Sequence, residues 1–193
     1  AAVALIIGSL AAYAIARFKT GGSFLRLSML STQMLPPIAL VIPIYLIFQT
    51  LRIWDSPAGL IIAYLSFNLP YTVWILIGFF QSIPVDLDEA AMIDGCSRLQ
   101  ALFKIIFPVA LPGLISAGTF SFIMNWNEFL FALVLTGKNT RTLPVAIASL
   151  WTQQGVQIGA VSAATVITIL PVIVLTFVIQ KSLVRNLTFG AIK

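Results

Sequence analysis

The residues that could do chemistry in this 193-residue chain are few, and their types exclude several kinds of active site. There is no histidine, and the single cysteine, Cys96, has no second cysteine with which to form an intrachain disulfide. Zinc centres and catalytic triads depend on these residue types, so both are excluded, and no metal site is predicted. The remaining carboxylates and amides are concentrated in two places.

The first place is the stretch 81–104, which holds four of the six acidic residues: Asp86, Asp88, Glu89 and Asp94. Asp86 and Glu89 have the spacing of a capping box, and Asp88 adds negative charge that a helix N-terminus favours. We predict a short helix that begins at Asp86 and ends at Gly95, a residue suited to the left-handed conformation. A helix of about two turns is not stable alone in water, so another surface must pack on it.

The side chains of this predicted helix indicate what that surface is. Ala90 and Ala91 are small enough to allow close approach, and Leu87, Met92 and Ile93 are apolar. A helix lying on the membrane surface is expected to be basic, because lipid head groups are often anionic. This helix is acidic, which favours the docking of a protein, although a lipid-facing position stays open on these grounds alone.

The second place is a set of polar side chains inside otherwise apolar stretches. Its members are Asn68, Tyr71, Asn125, Trp126, Asn127 and Glu128. Because polar groups are costly in a membrane, such residues mark either a solute pathway or a hydrogen-bonded network between helices. The amide, carboxylate and indole groups at 125–128 could bind a sugar, or they could bond and pack across helices. Asn68 and Tyr71 could also line a pathway, or they could lie at a kink where the carbonyl freed by Pro70 is satisfied locally. Both interpretations stay open.

The elements that position these residues follow from composition. The chain is 60% hydrophobic and 9% charged, with a mean hydropathy of +1.04, whereas soluble domains carry about 25% charged residues. Its outer surface must therefore be apolar too, and backbone groups facing lipid must be paired within helices. We predict an all-α, polytopic membrane helical bundle of about five spans. The apolar runs are Ala1–Ala16, Leu27–Leu51, Gly59–Phe80, Ile105–Leu135 and Ile158–Ile179.

Two of these runs are unusual. The first is shorter than the ~20 residues that a span needs, and the chain does not begin with methionine, so we expect one transmembrane domain, 1–193, whose first helix precedes this sequence. The second run is expected to break near Pro36. Eight of the eleven positive residues fall on one side of the alternating connections, which places the 81–104 loop and the C-terminus in the cytoplasm if there are five spans. Two re-entrant halves around Pro36 would swap the sides downstream. The positive residues are scattered, so nucleic acid is not an expected partner.

One segment resembles a family signature. Glu89-Ala-Ala-Met-Ile-Asp-Gly95, followed after nine residues by Ile105-Ile-Phe-Pro108, resembles the EAA motif of permease subunits of ATP-binding-cassette (ABC) importers, with Phe107 where leucine is usual. Other segments resemble the carbohydrate branch of maltose and multiple-sugar type. They lie at 12–18, 68–70, 78–84, 126–129, 142–144 and 187–193, with Asn186 where glycine is usual.

This resemblance implies the type I ABC importer permease fold, and it makes the 81–104 loop a coupling loop that docks on a cytoplasmic ATPase. Glu89 would contribute charge to the partner surface, Gly95 a sharp exit, and Pro108 a rigid turn into the next span. The residues implied in ATPase coupling are Asp86, Glu89, Ala90, Ala91, Asp94, Gly95 and Pro108.

The resemblance also implies partners and a location. The partners are a second permease subunit, two ATPase subunits and an extracytoplasmic solute-binding protein, in a bacterial or archaeal cell (inner) membrane. The outward loop 138–157 would contact the binding protein, or it is a plain connection. No cofactor is expected on this chain, because Gly137-Lys138 lacks the other residues of a phosphate-binding loop. ATP and magnesium would belong to the ATPase, so the chain itself is not an enzyme.

Three alternatives remain at this point. The importer could carry another small solute, because the sugar class rests on the resemblance alone. A self-sufficient secondary transporter would have only Glu128 as an acidic residue within a span, which is a thin basis for ion coupling. An intramembrane enzyme would have to work without histidine.

Overall fold

The computed structural model describes residues 1–152 and 155–189, and these fold almost entirely into helices. Ten α-helices, one π-helical segment and a pair of two-residue antiparallel strands are described: α1 Ala2–Phe18, α2 Gly22–Met34, α3 Pro37–Thr50, α4 Pro57–Ser82, α5 Asp86–Ile93, α6 Arg98–Ala101, the π-helical segment Leu102–Ile106, α7 Phe107–Trp126, α8 Leu130–Leu135, α9 Leu143–Ala148, β1 Trp151–Thr152, β2 Gly155–Val156 and α10 Ile158–Phe189. Residues 153–154 of the outward loop and residues 190–193 of the predicted cytoplasmic tail lie outside the described residues.

The all-α membrane bundle predicted from composition is confirmed. Within the described residues, three helical stretches are long and apolar enough to cross a membrane: Pro57–Ser82, Arg98–Trp126 and Ile158–Phe177. Helices α2 and α3 together qualify as a fourth, and α1 is apolar but has only 17 residues. Each of the five predicted runs thus corresponds to apolar helical structure.

The second span breaks where its prolines predicted. Helix α2 ends at Met34, and α3 begins at Pro37 after Pro36, which has extended dihedrals of φ −65° and ψ 127°. A proline disfavours helical geometry in the residue before it but suits the first position of a new helix. The two helices are bent by 94° at this point.

The expectation that Pro108 forms a rigid turn is wrong. Helix α6, the π-helical segment and α7 form one continuous helix from Arg98 to Trp126, and Pro108 lies inside it. Proline has no N–H, and its ring clashes with the carbonyl four residues earlier. The π-helical turns that end just before Pro108 shift the register, and the Phe107 N–H bonds Leu102, five residues back. This wider register accommodates the proline without a turn.

The run at 105–135 divides into two helices rather than one. Helix α7 ends at Trp126, and α8 starts at Leu130. The main core lies where α1, α4 and α7 meet, around fully buried Leu76, Phe80 and Ile106. A second core joins α3, α4 and α8. These two cores hold α4 at the centre of the bundle and position the residues of the candidate site around it.

Candidate functional site

The short helix in the acidic loop forms as predicted and begins at Asp86, but its N-terminal cap is different. Helix α5 runs from Asp86 to Ile93, and Gly95 follows with a left-handed φ of +86°. Its N-cap is Val85, with no side-chain cap, so the predicted Asp86–Glu89 capping box is wrong. Three acidic residues lie in its first turn, where the helix dipole favours negative charge.

The actual capping box belongs to the next helix. The Gln100 N–H donates to Ser97 Oγ at 3.3 Å, and the Ser97 N–H donates to Gln100 Oε1 at 2.8 Å. This reciprocal pair starts α6 directly after the Gly95 turn. The loop therefore folds as two short helices joined at Gly95.

Helix α5 has two distinct faces. Asp88 and Ala91 are buried against the bundle, whereas Ile93 is 86% exposed. The pair of small residues is split, because Ala90 is exposed and Ala91 packs inside the protein. Close approach by a partner is thus available at Ala90 only. The other predicted coupling residues that are exposed on this loop are Asp86, Glu89, Asp94 and Gly95.

The buried face of α5 is held by a polar cluster that sequence reasoning missed. Asp88 Oδ1 accepts a hydrogen bond from the Tyr13 hydroxyl at 2.5 Å, and Asp88 Oδ2 lies 2.8 Å from Arg17 Nε. Arg17 Nη1 also donates to the Ile83 carbonyl at 2.9 Å. Asp88 is 7% exposed, and removing one partner of a buried ion pair costs about 3–5 kcal/mol. We call this cluster of Tyr13, Arg17 and Asp88 the α1–α5 latch.

A cavity of about 250 Å³ adjoins the latch. Its lining includes the latch residues together with Glu89 and Arg98, and the Arg98 guanidinium lies 5.0 Å from the centre of the Phe18 ring. The two arginines and two carboxylates balance in formal charge. The side chains that line this cavity therefore carry no net formal charge. The cavity lies between α5 and the end of α1.

Two of the predicted intramembrane residues meet at a second cavity of about 230 Å³. Asn68 and Asn125 both line it, from α4 and α7, and so does Tyr64, which sequence reasoning did not select. The Tyr64 hydroxyl and Asn125 Oδ1 are buried and have no hydrogen-bond partner among the described residues. Buried polar groups are nearly always hydrogen bonded, so Asn125 Oδ1 is available to a polar occupant, whereas the Tyr64 hydroxyl also has the Glu128 carboxylate beside it. We call this cavity the solute cavity, after the role that we propose for it.

Asn68 itself is fully buried and also joins helices. Its Nδ2 donates to the Ser121 carbonyl at 3.2 Å, and its Oδ1 accepts from the Thr72 hydroxyl at 3.0 Å. It thus fixes α4 against α7 at the base of the solute cavity.

Neither Tyr71 nor Trp126 lines that cavity. Tyr71 lines a separate, largely apolar cavity with Trp74 and Met124. Trp126 Nε1 donates to the Thr168 carbonyl in α10 at 2.9 Å. The Trp126 hydrogen bond connects α7 to α10. It fits the second interpretation of these residues, a network between helices.

Asn127 and Glu128 form the break between α7 and α8. Asn127 Nδ2 donates to the Ile123 carbonyl at 2.9 Å. The Glu128 carboxylate accepts from the Phe131 N–H at 2.8 Å and the Ala132 N–H at 3.0 Å. Glu128 therefore satisfies the first N–H groups of α8.

Asp55 holds two predicted outward loops together. Its carboxylate accepts from the Gly137 N–H at 2.7 Å and the Thr140 hydroxyl at 2.7 Å, with further bonds from Asn139. These bonds, with that from Thr140 the strongest, lower the pKa of Asp55 below its ordinary value. An aspartate in the unfolded chain has a pKa of about 3.9, and the pKa of folded Asp55 is lower. The hydrogen bonds therefore stabilise the fold fully at pH values above the unfolded pKa, and this stabilisation is lost only as the pH falls through the folded pKa. These hydrogen bonds from Gly137, Asn139 and Thr140 to Asp55, which we call the Asp55 clamp, are fully formed at neutral pH.

Removing this clamp should expose the loop to protease. We expect Asp55→Ala to speed trypsin cleavage after Lys138 and Arg141 severalfold at neutral pH, with Asp55→Asn intermediate because it keeps an acceptor without the charge. Asp86→Ala, which removes an exposed carboxylate from α5, is the matched control and should leave these cleavage rates unchanged. Equal rates in Asp55→Ala and the unaltered protein would show that the carboxylate does not hold the loop.

No group of three or more His, Cys, Asp and Glu side chains that could hold a metal occurs within the described part of the chain. The apolar bundle, the water-facing short helix and the polar cavity between helices together define an integral membrane transport subunit. The chain belongs to the binding-protein-dependent transport system inner membrane component family, whose family model matches residues 4–189.

Characterised and inferred relatives agree with this assignment. The chain is 39% identical to the probable ABC transporter permease protein y4oR of Sinorhizobium fredii, over 98% of this chain and 68% of the relative. It is 39% identical to the trehalose transport system permease protein SugB of Mycobacterium tuberculosis, over 99% of this chain and 71% of that relative. It is 40% identical to the trehalose/maltose transport system permease protein MalG of Thermococcus litoralis, over 97% of this chain and 68% of that relative.

A solved structure shares the fold. A chain of a bacterial ABC transporter involved in the import of the acidic polysaccharide alginate matches with a TM-score of 0.76 and 26% identity, covering 94% of this chain and 69% of that one. The resemblance to ABC importer permeases that the EAA segment indicated is thereby confirmed. This chain is a permease component of an ABC importer.

Proposed function

We propose that this chain is one of two membrane subunits of an ATP-driven sugar importer, and that α5 couples it to a separate ATPase. The observation that carries this proposal is the exposed face of α5, which leaves an isoleucine 86% exposed on a helix outside the apolar bundle. ATP binding closes the ATPase subunits, the coupling helices move together, and the solute pathway opens alternately to each side of the membrane.

The chemistry of α5 indicates the shape of its partner. Ile93 and Met92 present apolar surface, and Ala90 beside them permits close approach. Asp86 and Glu89 add negative charge around this patch. A cleft with an apolar floor and basic rim on the ATPase complements this pattern in both burial and charge.

The solute cavity supports the transport of a polar solute. Tyr64, Asn68 and Asn125 supply a hydroxyl and two amides, and two of their atoms have no partner within the described residues. Sugar hydroxyls both donate and accept hydrogen bonds and therefore suit such a lining. The sugar class is further supported by relatives named for trehalose, for trehalose and maltose, and for sulfoquinovosyl glycerol. Trp126 then supports the pathway by connecting α7 to α10, and Asn127 and Glu128 support it by fixing the break between α7 and α8, while Tyr71 lines a neighbouring apolar cavity.

The proposed assembly contains a second permease subunit, two ATPase subunits that bind ATP and magnesium, and an extracytoplasmic solute-binding protein. It lies in the cell membrane with its C-terminus in the cytoplasm. The Asp55 clamp supports contact with the binding protein, because it presents the loop after α8 in a fixed geometry. Ion-coupled transport has less support, since the Glu128 carboxylate is occupied by two backbone N–H groups.

Reconstitution tests this function. We expect proteoliposomes containing the chain with its cognate subunits to take up radiolabelled trehalose or maltose when ATP is supplied on the ATPase side, and not when the ATPase subunit carries an inactivating substitution. Uptake by this chain alone, driven by an ion gradient without ATP, would contradict the proposal. ATP-driven uptake of a different small solute would support the proposal of an ATP-driven importer but contradict the assignment of sugars as its substrates.

A further inference from the structure

Helix α5 has to transmit force, yet it has only eight residues. A helix of this length is marginal in water, so its position must come from contacts with the rest of the protein. Its buried face offers two fully enclosed side chains, Asp88 and Ala91, and only Asp88 can make directional contacts. Helix α5 also packs against α6 and the π-helical segment, whereas Asp88 is the side chain that joins it to α1.

Both oxygens of Asp88 are engaged by α1. The Tyr13 hydroxyl donates to one at 2.5 Å, and Arg17 Nε lies 2.8 Å from the other. Tyr13 and Arg17 are four residues apart on one helix, so they present their side chains on the same face. Arg17 also donates to the carbonyl of Ile83, the residue that ends α4. One guanidinium thus ties together the end of α1, the end of α4 and the buried face of α5.

The other end of α1 lines the solute cavity. Ala1, Ala2, Val3 and Ala4 contribute to its wall, opposite Tyr64 and Asn125. At 1.5 Å per residue, Ala4 and Tyr13 are separated by about 14 Å along an uninterrupted helix. Because α1 packs along α4 through buried Ala12 and Ile15, it moves as a stiff element rather than a flexible one.

We propose that the α1–α5 latch of Tyr13, Arg17 and Asp88 is the positioning device that converts movement of α5 into movement of α1, and through α1 into a change at the solute cavity. The inference rests on the proposed function, since it assigns the path by which ATPase motion reaches the solute. Asp88 acts through α1 and touches neither ATP nor solute.

The chemistry of the latch fits transmission better than stabilisation. A buried ion pair contributes little net stability compared with apolar residues of similar volume, because both charges must leave water. It does fix geometry, since the Tyr13 hydroxyl donates a directional hydrogen bond to one oxygen of Asp88 while Arg17 Nε lies 2.8 Å from the other as an ion pair. An apolar contact at this position would let α5 slide over α1, whereas the latch obliges the two helices to move together.

The test is the number of solute molecules carried per ATP hydrolysed by the complete transporter in proteoliposomes. We expect Asp88→Asn to keep ATP hydrolysis while solute transport per ATP falls about five- to tenfold, within the range of typical coupling energies. Lys19→Gln, which removes an exposed charge directly after α1, is the matched control and should leave the ratio unchanged. Tyr13→Phe removes one hydrogen bond and keeps the ion pair, so it should lower the ratio less.

Several outcomes separate the explanations. A purely structural role would lower ATP hydrolysis and transport together, in proportion to the amount of assembled complex, and would overturn the proposal. An unchanged ratio in Asp88→Asn would overturn it as well. If Asp88→Asn does not assemble, Tyr13→Phe decides by the same ratio. If the unaltered transporter shows no ATP-driven uptake, it is the proposed function that fails, and this control distinguishes the two.

Discussion

An importer that carries Ile93→Asp is expected to lose its ATPase subunits while the permease still inserts into the membrane. Ile93 is 86% exposed, so the fold of this chain does not depend on it. Burying an isoleucine side chain in an interface is worth about 1.5–3 kcal/mol, and a carboxylate in its place must also be desolvated. The affinity for the ATPase should therefore fall by at least about ten- to a hundredfold.

Copurification of the ATPase with tagged permease measures this loss. Leu51→Asp is the matched control, because Leu51 is 60% exposed and lies at the predicted outward end of α3. The control should retain the ATPase at the level of the unaltered protein. Full retention in Ile93→Asp would exclude the exposed face of α5 as the docking surface.

The second large effect is expected from Gly95→Asp, which should abolish sugar uptake without preventing insertion. Gly95 has a φ of +86°, and nothing lies within 4 Å of the position a Cβ would take. The substitution therefore costs only the strain of a left-handed residue, about 1–2 kcal/mol. Its larger consequence is at the docking surface, where the turn after α5 shifts and an extra carboxylate faces the ATPase.

Gly22→Asp separates backbone strain from docking. Gly22 also has a positive φ, +55°, and open space around its Cβ position, but it is the first residue of α2 and does not follow α5. We expect ATP-driven uptake to survive Gly22→Asp and to be lost in Gly95→Asp. Equal losses in the two variants would attribute the effect to strain alone.

Local signals allowed the helices to be predicted from the sequence. The break at Pro36 and the exit at Gly95 depend on the backbone limits of single residues, and both are confirmed. The cap of α5 was predicted wrongly because helical turns already precede Asp86, where the carbonyls of Pro84 and Val85 accept from the Leu87 and Asp88 N–H groups. These turns place Asp86 in the first turn instead of at the cap.

The contacts within the site could not be predicted in the same way. Asp88 meets Tyr13 across 75 residues of sequence, and Asp55 meets Gly137 across 82. The α1–α5 latch has only two local signals in the sequence. Tyr13 and Arg17 are spaced to lie on one helix face, and Asp88 and Ala91 are spaced to lie on another. The polar group at 125–128 was treated as one cluster, but the end of α7 separates Asn125, in the solute cavity, from Glu128, which caps α8.

The most direct test of the account is a site-specific crosslink from the exposed face of α5. A photoreactive amino acid at position 93, in the complete transporter in membranes, should form a covalent product with the ATPase subunit. The same group at Ser82, an exposed residue at the end of α4, serves as the control for random capture. We predict an ATPase adduct at position 93 that exceeds the control clearly and changes in yield when ATP is added. A transporter that remains active but gives no ATPase adduct at position 93 would contradict the claim that α5 is the coupling helix.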